Sequence, residues 1–212
     1  MPDAFSQGDH VCVAYDSPDE QLAVAVTFIA DGLRRNERCL YAADSRDSLD
    51  AFRAALSAAG IDAAEAEQRG SLLLMTKDLA HLKQGRFDCE RMLEMLNGSV
   101  EAALNAGYIG LRTCGDMSWL LDGAPGSEQV VEYEALLNQF FSSVRALGMC
   151  QYDRARLPQG LLDHALETHP SIVVDRRHRA NPFYRNSWSA ASPDTHPAGF
   201  DAKMAALRSG TV

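Results

Sequence analysis

Four of the five cysteines, Cys12, Cys39, Cys114 and Cys150, lie in short apolar runs that read as strands. Free cysteine is among the most buried residue types, and core packing is the plain reading of each. A second reading joins Cys12, Cys114 and Cys150 with His10 as a metal or thiol redox centre. Sulfur and imidazole donors suit a soft or borderline cation, but no C-x-x-C or H-E-x-x-H spacing fixes such a site. Carboxylates form the other chemical set. Asp16, Asp44, Asp116 and Asp153 stand at or next to the carboxyl ends of apolar runs. Singly, each suits a helix cap or a turn. Together they make an acidic rim, softened by Arg46, Lys77 and Arg154, that repels phosphate.

The phosphate-loop pattern is missing where it should be. After the first apolar run the chain reads YDSPDEQ, with neither glycine nor lysine. Gly110 to Gly115 has the glycine spacing, but Asp116-Met117 follows and the segment reads as a strand. No G-x-G-x-x-G or G-x-S-x-G is present. His164 and His169, five apart, fall on different faces of a helix.

The elements that hold these residues alternate. HVCVAY (10–15), RCLYAAD (38–44), SLLLMT (71–76), YIGLRTCGD (108–116), GMCQYD (148–153) and SIVVD (171–175) read as strands. Helices are expected over 22–33, 45–60, 61–70, 87–107, 127–147 and 157–169, with Ser45 and Ser127 as N-caps. Strands separated by single helices predict a three-layer α/β fold, with a mostly parallel sheet and helices on both faces. In such sheets ligands bind outside the carboxyl ends of the strands. Candidates to line such a pocket are Tyr15, Trp119 and Tyr152, with Asp16, Asp116, Arg112 and Arg154 as polar partners. Glu134, in the EYE segment of a helix, is a further hydrogen-bonding candidate. Residues 185–212 read as a linker-like tail that adds little to the core, with FDAKMAALR (200–208) as one short helix at most.

Composition sets outer bounds. The chain has 212 residues, 46% hydrophobic and 23% charged, enough for one ordinary domain. Its net charge of −9 speaks against nucleic-acid binding and against a polybasic membrane contact. No run reaches the ~18 apolar residues of a membrane helix. MPDAFSQGDH has no signal-peptide pattern, so a cytoplasmic protein with reduced thiols is expected.

In order along the chain stand GDHVCVAYDSPDE, NERCLYAAD, GRFDCERML, GYIGLRTCGDMSWLL, VVEYEALLNQFF, MCQYDRARLP, THPSIVVD and NPFY. The set resembles the MEDS sensory domain of methanogen and methylotroph regulators, including the dichloromethane-responsive repressor, over about 8–184. That resemblance implies a degenerate RecA/KaiC-type ATPase fold that senses small molecules, hydrocarbon derivatives in particular. It implies signalling or transcription regulation rather than turnover, and so no catalytic residue. It puts Asp116 in the place of the Mg²⁺-binding acid and sets Cys12 and Cys150 on neighbouring strands. Family members often carry an effector domain, for which the segment after 184 has no room, so the resemblance implies either a stand-alone sensor that acts on a protein effector partner or a fragment excised from a longer regulator. Two alternatives stand beside it: the thiol or metal redox sensor, and a residual nucleotide-binding or hydrolysing protein using Asp116 and Glu134. The cofactor is left open.

Overall fold

A computed structural model describes residues 5–185 and 199–211. Six strands, β1 (His10–Tyr15), β2 (Arg38–Ala43), β3 (Leu72–Thr76), β4 (Leu111–Asp116), β5 (Ala146–Asp153) and β6 (Ser171–Val174), pair in parallel. A seventh, β7 (Arg177–Ala180), returns antiparallel beside β6, and the sheet order is β3-β2-β4-β5-β1-β6-β7. Between them run α1 (Pro18–Arg34), α2 (Arg46–Ala58), α3 (Ala63–Gln68), α4 (Cys89–Asn105), α5 (Val130–Ser143) and α6 (Gln159–Thr168). A last helix, α7, spans Phe200–Ser209.

Strand alternation divides the core in two. Val11, Val13, Cys39, Tyr41, Cys114, Leu147 and Met149 pack on one face against α1, α2 and α3. Cys12, Ala14, Leu40, Ala42, Cys150 and Tyr152 pack on the other against α4, α5, α6 and α7. This is the three-layer α/β arrangement expected from the alternating strand–helix pattern. Capping follows the sequence at several helix starts. Ser17 Oγ accepts from the Glu20 amide, Ser45 Oγ from that of Ser48, and Asp88 from that of Arg91.

Three expectations are corrected. Ser127 does not cap α5. Its hydroxyl turns back to donate to the Ala124 carbonyl at 2.7 Å, and a short 3₁₀ turn precedes Val130. The adjacent Gly126 has φ 90°, and a Cβ there would collide with the Phe87 carbonyl. β7 was not read as a strand, because its hairpin turns through Asp175 and Arg176 at φ 49° and 62° without a glycine. Finally, α7 is part of the core, not of a linker-like tail. Phe200, Met204 and Leu207 are buried, and Lys203 Nζ donates to Asp163 at 2.8 Å and to Glu167 at 3.4 Å. Three apolar residues interrupted by a lysine gave too short a stripe to read as a core helix. The rest of that segment, 186–198 and 212, lies outside the described residues.

Candidate functional site

Between the sheet and helices α4 and α5 lies a narrow, mostly apolar cavity of about 30 Å³. Its floor exists because the strands are lined with small residues there. β2 presents Leu40 and Ala42, β4 Thr113 and Gly115, and β5 Gly148 and Cys150. β4 is flanked by β2 and β5, yet Thr113 and Gly115 are only partly buried, because they face this space. Met92, Met95 and Leu96 of α4 and Tyr133, Leu137 and Phe141 of α5 form the roof. His81, from the loop after β3, closes one side, and it is 5% exposed. Burial pushes its imidazole down to about 4, against the pull of Glu134. Its Nδ1 has no hydrogen-bond partner among the described residues.

The cavity wall at Cys150 is also the edge of a buried polar cluster. His10 opens β1, Cys150 lies on the neighbouring strand β5, Glu134 belongs to the buried stripe of α5, and His169 follows α6. Glu134 Oε2 lies 3.1 Å from His10 Nε2, 3.2 Å from His169 Nε2 and 3.6 Å from Cys150 Sγ. Glu134 Oε1 accepts from the Tyr152 hydroxyl at 2.8 Å. His10 Nδ1 meets Asn138 Oδ1 at 3.0 Å, and His169 Nδ1 meets the Ala165 carbonyl at 2.7 Å. The potential donor atoms of His10, Glu134, Cys150 and His169 lie within 4.8 Å of one another, and all four residues are buried.

The electrostatics of the cluster favour an ionised carboxylate. Burial alone would raise the Glu134 carboxyl, but His169 and His10 hold it well below the usual range. Burial, and then the neighbouring His169, lower His10, while Glu134 acts in the opposite direction. Burial and Glu134 together push the Cys150 thiol up. Cys150 is therefore a neutral thiol unless a cation replaces its proton.

The residues singled out in the sequence fall into separate places. Tyr152 and Glu134 join the cluster, and so do His10 and Cys150. Cys12 sits beside Cys150 in the β1–β5 register, on the same face. Cys114 does not join them: it faces the opposite layer, with Cys39. Tyr15 donates to Asp116 at 3.4 Å near the strand ends, and Asp116 also accepts from the Ser118 amide at 2.9 Å. Burial raises the Asp116 carboxyl. Trp119 is fully buried, stacked on Phe87 at 4.8 Å and on His81 at 5.2 Å, so it reaches the cavity through His81 and, by way of Phe87, through Tyr133. Arg112 lies on the face of Cys39, fully buried, paired with Glu37 and Asp31 and stacked over Phe28. Arg154 Nη1 donates to both carboxylate oxygens of Asp16, at 2.9 and 3.0 Å, and Arg154 Nη2 lies 3.2 Å from Asp201. Lys77 bridges Asp44 and Asp122 at 2.8 and 2.6 Å. Much of the acidic rim is thus neutralised from within.

His169 escaped notice in the sequence because it was weighed only against His164. The legible signal was Glu134 itself, a carboxylate inside the stripe Val130, Tyr133, Leu137 and Phe141.

Comparison with known proteins places this geometry. No curated protein matches the chain. A KaiC-like protein from the hyperthermophilic archaeon Pyrococcus horikoshii OT3 superposes with a TM-score of 0.54 at 14% identity, covering 80% of this chain and 71% of its own. That likeness establishes the RecA-type fold alone. The profile of the MEDS family, described as the methanogen/methylotroph, DcmR sensory domain, matches residues 9–170, and the chain therefore belongs to the MEDS family.

Proposed function

We propose that this chain is a cytoplasmic sensory domain that holds a small, mostly apolar molecule in the cavity beneath β4 and β5 and passes the change to a protein partner. The carrying observation is the cavity itself: small strand residues on its floor, thioethers and an aromatic roof above, and one uncharged imidazole at its side. Such a lining suits hydrocarbon derivatives, with His81 as the polar contact that orients them. Membership of a sensory family supports the same reading. Trp119, stacked on His81, is the route by which occupancy would reach the strand ends near Asp116 and Tyr15.

Binding rather than turnover is supported by the turn after β1. There the Asp16 amide donates to the Glu20 carboxylate at 2.9 Å, and the Glu20 amide donates to Ser17 Oγ at 3.3 Å. These two amides of the turn are already occupied, and two carboxylates stand beside them.

Titration calorimetry with a panel of small chlorinated and unsubstituted hydrocarbons, and separately with ATP–Mg²⁺, tests the proposal. A Cβ at Gly115 meets His81 at 3.4 Å, so Gly115→Val projects its methyl groups into the space. Saturable uptake of a panel member, weakened at least tenfold by Gly115→Val, is the expected result. Uptake indifferent to Gly115→Val, or micromolar ATP binding in its place, overturns it.

A further inference from the structure

The cluster around Glu134 contains more acceptors than hydrogens to satisfy them. His169 Nδ1 lies 2.7 Å from a backbone carbonyl, which can only accept, so Nδ1 carries the hydrogen. Asn138 Nδ2 donates to the Thr168 carbonyl at 2.7 Å, which leaves Asn138 Oδ1 to accept from His10 Nδ1. When neutral, both imidazoles therefore turn an unprotonated Nε2 towards the same carboxylate oxygen, at 3.1 and 3.2 Å. His169 Nε2 is buried and makes no hydrogen bond among the described residues. The Cys150 thiol offers one weak hydrogen, 3.6 Å from Glu134 Oε2 and 3.7 Å from His10 Nε2. Protonating one ring leaves the other facing a lone pair. Protonating both sets two cations face to face, with ring centroids 3.9 Å apart.

We infer that His10, Glu134, Cys150 and His169 form a binding site for one divalent cation of the zinc class. A single cation at the centre answers all the lone pairs at once. Two imidazoles, one carboxylate and one thiolate are a borderline donor set that suits zinc and its first-row neighbours rather than magnesium or calcium. Tetrahedral zinc with bonds of about 2.0–2.3 Å places its ligand atoms roughly 3.3–3.8 Å apart. Four of the edges here measure 3.1, 3.2, 3.6 and 3.7 Å.

The outer contacts are those of a metal site as well. Each histidine donates its remote N–H to an oxygen, and Tyr152 holds the other carboxylate oxygen, so Glu134 would bind through Oε2 alone. Binding exchanges the Cys150 proton, released to solvent, for the cation, with no change of oxidation state. Cys150 borders the cavity, which supplies an entry path. This site stands independently of the molecule proposed for that cavity.

The test is cobalt and zinc titration of the full chain after chelation. One cobalt per chain should bind, with ligand-field absorption of a tetrahedral site and a thiolate-to-metal charge-transfer band. Cys150→Ser should abolish that band, and His169→Gln should weaken binding. Asn138→Ala, which removes the outer partner of His10, should weaken it by about 10–100-fold. Cys114→Ser, on the opposite face, should change none of these, and far-ultraviolet circular dichroism of each variant monitors folding. Zinc-edge X-ray absorption of the unaltered protein gives a readout free of variants, with one sulfur at about 2.3 Å beside nitrogen and oxygen. Absence of uptake, a sulfur-free shell, or a charge-transfer band that survives Cys150→Ser and vanishes in Cys114→Ser overturns the inference.

Discussion

Tyr152 donates its phenolic hydrogen to Glu134 Oε1 at 2.8 Å, and both side chains are sealed from solvent. The hydrogen bond divides the work of one carboxylate: one oxygen is committed to the phenol, and the other faces both histidines and Cys150. Removing the hydroxyl leaves a buried, ionised acceptor without its donor. Such a loss costs roughly 1–3 kcal/mol, and more for a charged group. Tyr152→Phe is expected to lower the urea midpoint accordingly. An unchanged midpoint would mean that Glu134 does not depend on the phenol.

Gly148 and Gly115 make a contrasting pair on adjacent strands. A Cβ at Gly148 would enter the ring of Phe141, which itself packs near His10. Gly148→Ala should cost about 1–3 kcal/mol as overpacking. At Gly115 a methyl group meets only His81, at 3.4 Å, so Gly115→Ala should stay within ~0.5 kcal/mol or gain slightly from strand propensity. Thermal unfolding of the two variants, side by side, checks the order. Equal losses would remove the distinction between filled and open floor.

Lys203 carries the electrostatic part of the docking of α7. Its ammonium is fully enclosed between Asp163 and Glu167. Lys203→Met keeps the chain length but leaves Asp163 without its cation and Glu167 with only Arg185, at 3.8 Å, which should cost about 3–5 kcal/mol. Phe200→Ala should cost a similar amount as a buried aromatic truncation. A Lys203→Met variant as stable as the parent in a denaturant titration would show that α7 is held by its apolar residues alone.

His81 gives a pH dependence with a defined sign. Its folded value of about 4 lies below its ordinary 6.5, because burial and Arg91 lower it more than Glu134 raises it. Between these values the unfolded chain binds a proton at this position that the folded chain refuses. Stability from this group is therefore complete above about pH 6.5 and is lost as the pH falls towards 4. The slope is at most about 1.4 kcal/mol per pH unit. His81→Phe should flatten this part of the curve in urea titrations between pH 7 and 4. A curve as steep as that of the parent would assign the acid sensitivity to other groups.

The strands and helices were legible because each carries its own local period. His10–Tyr15 and Ser171–Val174 are short buried runs, while the helices show apolar stripes three and four residues apart. α7 and β7 were not legible, the first for the brevity of its stripe and the second for its glycine-free turn. The cluster was only half readable. His10 and Cys150 belong to strands whose adjacency came from family resemblance, not from spacing. Glu134 reaches this point from α5 and His169 from the residue that follows α6, and no sequence period records which helix faces overlie which strands. Cys114 was grouped with them because strand membership was readable but the facing layer, set by register across β4 and β5, was not.

Trp119 has one further consequence, and it is optical. Its indole lies flat between Phe87 and His81, shielded from water, while the chain's other tryptophan, Trp188, falls outside the described residues. An indole in so dry a sandwich emits towards the blue, and a protonated imidazole in van der Waals contact takes an electron from its excited state. The emission of Trp119 is thus a gauge of the charge and position of His81. Because His81 forms the side of the cavity, whatever enters there alters the brightness of a chromophore that it never touches.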